Sequence, residues 1–135
     1  MRRWALCIAA LIGTDLASAH AAAPPVTGRV VWVTDGDTVR LASGERIRIA
    51  GIDAPESRPE NAKCARELAR GQAATHAAIP LLKGRTVTID RVGKSYQRAV
   101  ARLDLDGTDV GRLLIAEGIA RPWPRGKPKP DWCGA

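Results

Sequence analysis

The chain of 135 residues has no phenylalanine, one tyrosine and one methionine, and aromatic residues make up 4% of it. Its core must therefore rest on Val, Ile, Leu and Ala. His20 and His76 are the only histidines and lie far apart, and no Cys/His cluster has zinc spacing. No internal repeat is visible. Acid is in short supply: 14 Asp and Glu stand against 21 Lys and Arg, a formal net charge of +7. An excess of that sign suits a protein drawn to a polyanion, although charge alone serves solubility equally well.

The longest greasy run, Trp4 to Leu16, is interrupted by Asp15. It is too short to cross a bilayer comfortably, since spanning takes about 20 apolar residues. Before it stands Met1-Arg2-Arg3, and after it Ala17-Ser18-Ala19-His20-Ala21-Ala22-Ala23. A positive end, a short apolar stretch and a small-residue exit are the three parts of a secretory signal. Residues 1–23 are thus expected to be a signal peptide and 24–135 a single, monomeric mature domain. Cleavage after Ala19, Ala21 or Ala23 is equally open. The expected destination is periplasmic or secreted, with no stable membrane association after cleavage. Cysteine is scarce too. Cys7 leaves with the signal, and Cys64 and Cys133 remain as an even pair. A disulfide is the default state of such a pair in an exported chain, two free thiols being the alternative.

From Val26 the pattern changes. Val30-Val31-Trp32-Val33 suits a buried strand, Asp35-Gly36 breaks it, and Thr38 to Leu41 and Arg46 to Ile49 alternate as two more strands around Ser43-Gly44. Gly51 to Asn61 reads as a loop. Cys64 to Leu82 is the best helix, with Leu68, Ala69, Gln72, Ala73, His76 and Ala77 on one broad face. Thr86 to Ile89 and Ala99 to Leu105 supply a fourth and a fifth strand. Asp106-Gly107 turns the chain, and Asp109 suits the cap of a short helix from Val110 to Glu117. The tail Pro122 to Pro130, with four prolines, reads as extended or mobile. The predicted class is mainly β with helices (α+β): a five-stranded barrel of the OB type with one long and one short helix.

Chemistry-bearing residues fall where the meander brings them together. A two-residue turn at Ser43-Gly44 sets Val39 opposite Arg48 and Asp37 opposite Ala50. Asp37 and Arg48 are then diagonal neighbours on one face, with Cβ atoms about 7 Å apart. The chain leaving the third strand delivers Asp53 and Glu56 to the same rim. Paired carboxylates with backbone carbonyls suit a hard cation such as Ca²⁺. Arginine suits a phosphate, because its planar fork donates two hydrogen bonds at once. Each signal alone also fits a turn, a polar loop or a surface charge. Their ordered combination suits phosphodiester hydrolysis.

At these residues a family resemblance becomes specific. Val33-Thr34-Asp35-Gly36-Asp37-Thr38-Val39, then Arg46 to Glu56, then Tyr96-Gln97-Arg98-Ala99, then Asp106-Gly107 and Leu113 to Ala120 resemble the staphylococcal nuclease-like family. The likeness runs from about Val26 to Arg121. It implies a hydrolase, a Ca²⁺-dependent nuclease that takes DNA and RNA as substrates and leaves 3′-phosphates. It implies that Asp37, Asp53 and the Ala54 carbonyl hold the metal and that Glu56 activates water. It also implies that Arg48 and Arg98 bind the phosphate, that Asp35 supports the metal, and that Tyr96 contacts the nucleotide, with Lys94 beside it. Two departures stand out. Gln97 replaces a common glycine, and Trp123 is the nearest aromatic for stacking where the family has tyrosines. The competing reading is a non-catalytic nucleic-acid-binding module of the OB type, which has no need of the acidic set. A third, a disulfide-tied envelope protein that holds anionic polymers, is opposed by that same set.

Overall fold

Residues 23–134 are described by the structure, a computed structural model. The expected signal peptide, apart from Ala23, lies outside the described residues. The chain forms strands β1 (Thr27–Asp35), β2 (Thr38–Leu41), β3 (Arg46–Ile49) and β4 (Ile52–Asp53), then helix α1 (Ala65–Leu82). Strands β5 (Thr86–Ser95), β6 (Arg98–Leu105) and β7 (Thr108–Asp109) follow, then helix α2 (Val110–Ala116) and strand β8 (Arg121–Pro122).

Antiparallel neighbours run β3-β2-β1-β5-β6-β7, and β3 also pairs with β6 in parallel, through Ile47–Ala99, Arg48–Val100 and Ile49–Ala101. That pairing closes five strands into a ring, the OB-type barrel expected from the strand pattern. Alternation fills it: Val30, Val39, Ile47, Val87 and Leu103 are at most 1% exposed and point inward. Each such side chain contributes about 1.5–3 kcal/mol by leaving water, which is how a core without phenylalanine holds. Helix α1 packs across β1, and α2 packs against β6. Asp109 caps α2, its side chain accepting from the Arg112 amide at 2.8 Å. Among the described residues, no helix is long and apolar enough to cross a membrane.

Three expectations are corrected. The β2–β3 turn has three residues, not two. Leu41 faces Glu45, Gly44 takes φ +89°, and Val39 pairs with Ile47 while Thr38 pairs with Arg48. A glycine in the left-handed region permits this three-residue turn, and the register slips by one. The slip sends Arg46 and Arg48 outward and Ile47 and Ile49 into the core.

Helix α1 buries Glu67, Gly71, Ala74, Ala78 and Leu82, whereas Ala69, Gln72, Ala73, His76 and Ala77 face solvent. Hydropathy misleads here because the inward stripe contains a carboxylate and a glycine. The Glu67 carboxylate accepts from the Lys63 amide at 2.8 Å and from the Glu56 amide at 3.4 Å. A Cβ on Gly71 would lie 2.0 Å from the Glu56 carbonyl oxygen. The helix thus lies directly against the loop that carries Glu56.

The tail is tied down rather than loose. Cys64 and Cys133 form a disulfide across a sequence separation of 69, with Cα atoms 6.1 Å apart. Strand β8 pairs with β4, the Arg70 guanidinium donates to the Trp132 carbonyl at 2.8 Å, and the Trp132 ring is buried.

Candidate active site

Asp37 sits in the β1–β2 turn and Asp53 ends β4, and both are buried. The Asp37 Oδ2 accepts from the Ala54 amide at 2.8 Å, and its Oδ1 from the Thr38 hydroxyl at 2.9 Å. Arg48, on β3, places one nitrogen, Nη2, 3.6 Å from Asp37 Oδ2 and 3.6 Å from Asp53 Oδ1. The same nitrogen donates to the Ile52 carbonyl at 3.1 Å, and the Trp123 ring covers the guanidinium with its centroid 5.1 Å away. The two acids therefore converge on one side of one arginine.

A second cation reaches them from the tail. Lys129 Nζ lies 3.5 Å from Asp53 Oδ1 and 3.3 Å from Glu56 Oε1. Burial works to lower this ammonium, but the charges of Asp53 and Glu56 outweigh burial and raise it. Asp53 Oδ2 accepts from the Trp132 indole at 2.8 Å. Burial still raises the Asp53 carboxyl, against the indole bond and the two cations. Asp35 is pushed up to about 7, chiefly by burial and then by the adjacent Asp37 charge. At Asp53 and Asp35 alike, burial is the largest of these effects.

A cavity of about 600 Å³ opens over this cluster, lined among others by Asp35, Asp37, Arg48, Asp53, Glu56 and Arg98. Ala54 and Tyr96 also border it. Tyr96 stands 95% exposed at the β5–β6 turn with φ 55°. A left-handed tyrosine costs roughly 1–2 kcal/mol, held here by the hairpin pairing Ser95–Arg98. Lys94 lies apart: it borders the neighbouring groove that holds Trp123, Arg102 and Lys127. Lys129 and Trp132 were missed from the sequence. The one available signal was position, because a Cys64–Cys133 bridge carries Trp132 to the start of the helix.

The donor set fits a hard divalent cation. Asp37 and Asp53 offer carboxylate oxygens facing one cavity, beside Arg48 and Lys129. Among the described residues, no three His, Cys, Asp or Glu side chains form a cluster able to hold an ion. A cation there would complete its shell with carbonyl oxygen and water, as hard cations do.

A closed OB-type barrel with paired acids facing two arginines over one cavity defines a class of phosphate-handling proteins. Residues 46–130 match the family described as "Staphylococcal nuclease homologue", and the chain belongs to that family. The matched span holds Arg48, Asp53, Glu56 and Arg98, while Asp35 and Asp37 precede it. Two similar relatives, from Escherichia coli O157:H7 and Escherichia coli, carry the name "Uncharacterized endonuclease". Each is 32% identical over 103 residues, covering 70% of this chain and 60% of the relative. The chain thus spans less than two thirds of the length of these curated relatives.

Proposed function

We propose that the protein is an exported nuclease that hydrolyses phosphodiester bonds of DNA and RNA and leaves 3′-phosphates. The observation that carries the reading is the convergence of Asp37 and Asp53 on Arg48, with Glu56 and Arg98 on the same cavity. A protein that only binds nucleic acid has no use for buried acids beside its phosphate-binding arginines, because they repel the ligand and cost desolvation. Membership of the nuclease-homologue family and the names of the relatives support the same reading.

Arg48 and Arg98 donate hydrogen bonds to the phosphate and brace the negative charge that grows during attack. Glu56 orients a water and accepts its proton as the oxygen bonds to phosphorus. The bond from phosphorus to the departing 5′-oxygen breaks in line, and that oxygen takes up a proton. Asp37, Asp53 and the Ala54 carbonyl would hold Ca²⁺, which when bound screens the phosphate charge. Asp35 supports this cluster from behind, and Tyr96 and Lys94 contact the nucleotide. Residues 1–23 direct export and are removed, leaving residues 24–135 as a monomeric domain. The disulfide supports an oxidising destination, periplasmic or extracellular.

The test is nucleotide release from plasmid and from RNA by the mature chain. Release is expected with Ca²⁺ and lost in EDTA. Retention of both polymers on the protein without release, at any divalent concentration, would identify a binding module instead.

A further inference from the structure

We infer that the outer face of β1–β2–β3 is a second binding site, an exosite that grips a single-stranded polynucleotide beyond the scissile phosphate. It consists of Trp32, Arg40, Arg46 and Arg58. The inference rests on the nuclease reading for its geometry, since the strand would run from this face into the acid cavity.

The pairing register builds the site. Trp32 stands opposite Arg40 on β1–β2, and Arg40 opposite Arg46 on β2–β3. Directly opposed residues have Cβ atoms about 4.5–5.5 Å apart, so the three form one row across the sheet. Arg48 lies two residues along β3 from Arg46, about 7 Å away on the same face. A groove of about 550 Å³ covers the row and is lined by Val31, Trp32, Thr34, Arg40, Arg46 and Arg58. Thr34, Arg46 and Arg58 border the acid cavity as well, so the two hollows adjoin.

Four features mark this face. Arg40 opposes Arg46, and like charges placed directly across a strand pair destabilise it. No ion pair among the described residues relieves Arg40, Arg46 or Arg58, although two other surface arginines have one, Arg85 with Asp106 and Arg91 with Glu45. The Arg46 Nε is buried without a hydrogen-bond partner, a donor that lacks an acceptor. Trp32 is 57% exposed in a chain otherwise poor in aromatics, on a strand flanked on both sides, with Lys83 5.3 Å from its ring centroid. Unpaired guanidinium groups beside an open indole match a polymer that alternates phosphates with flat rings. The ring needs an unstacked base, so the site favours single strands over duplex.

The test compares the mature chain with Trp32→Thr/Arg40→Gln, two residues that do not line the acid cavity. Binding of a 15-nucleotide single-stranded DNA is measured in EDTA by anisotropy across a salt series, and turnover of a dinucleotide substrate is measured with Ca²⁺. The double variant should bind the long strand at least tenfold more weakly, the size of one lost base stack. Its log–log salt slope should fall by about 0.7, one phosphate contact on a single strand. Dinucleotide turnover should be unchanged. Arg40→Gln alone, read by the salt slope, serves if the double variant melts early. Unchanged long-strand affinity and slope would overturn the exosite. So would loss of binding to phosphatidylglycerol vesicles with strand binding intact, which would make the face a lipid surface. A wild-type chain that releases no nucleotide from any polymer defeats the nuclease reading separately, because the EDTA arm needs no catalysis.

Discussion

The Trp132 indole donates 2.8 Å to Asp53 Oδ2, joining the last tryptophan of the chain to a buried acid 79 residues earlier. Both groups are buried, so the bond is shielded from water and sets the direction of the carboxylate. Trp132→Phe keeps the ring and deletes the donor. Outer partners of metal-ligating groups typically contribute 10–100-fold to metal affinity or activity, and a loss of that order in Ca²⁺ affinity is expected by calorimetry. Wild-type affinity in the variant would show that Asp53 needs no such tether.

The disulfide is the second hold on that tail. Cys64 also caps α1, its sulfur accepting from the Glu67 amide at 3.3 Å. Serine is a good cap, so Cys64→Ser/Cys133→Ser removes the cross-link and leaves the helix start intact. The variant should lose about 2–4 kcal/mol in urea unfolding. Ca²⁺ affinity should fall in parallel as Trp132 loosens.

Gly71→Ala tests the contact between helix and loop. In an exposed helix this change gains about 1 kcal/mol. Here the new Cβ would meet the Glu56 carbonyl oxygen at 2.0 Å, a backbone atom that cannot rotate away. The expected result is the opposite sign, a loss of about 1–3 kcal/mol, together with reduced turnover as Glu56 shifts. Thermal melts and initial rates measure the two effects.

Stability in EDTA should depend on pH through Asp35. Its carboxyl is raised from the ordinary 3.8 to about 7, so the folded chain holds this proton more tightly than the unfolded chain. The stabilisation is complete below the unfolded value and is lost as pH rises through the folded one. Asp35→Asn should therefore gain on the wild type between about pH 4 and pH 8. Urea midpoints across that range check it, and a constant offset between the two proteins would refute it.

Glu56→Gln and Arg98→Ala address the chemistry. A general base and a transition-state donor each contribute about 10²–10³-fold or more. Both variants should lose turnover by that order while retaining the wild-type melting temperature within a few degrees. Near-native turnover in either would remove that residue from the mechanism.

Much of this was legible in local pattern. Alternation marked β2 and β3, Asp106-Gly107 marked a turn, and the spacing of Asp37, Arg48, Asp53 and Glu56 marked one rim. The misses share a cause. The β2–β3 register slipped because a three-residue turn with Gly44 at positive φ cannot be told from a two-residue one by composition. The buried face of α1 was misread because Glu67 and Gly71 are inward for hydrogen bonding and close approach, which hydropathy does not score.

The sequence by itself determined the five barrel strands, the helices and which acids and arginines were available, though not the short strands β4, β7 and β8, because side-chain period and turn preference act within a few residues. Only the tertiary structure decided that Lys129 and Trp132 stand on the acids and that Trp32, Arg40 and Arg46 align in one row. The first pair of contacts reaches back 73 and 79 residues. The row depends on the register of three strands. No local preference encodes either, since both arise when the ring closes and the disulfide draws the tail across it.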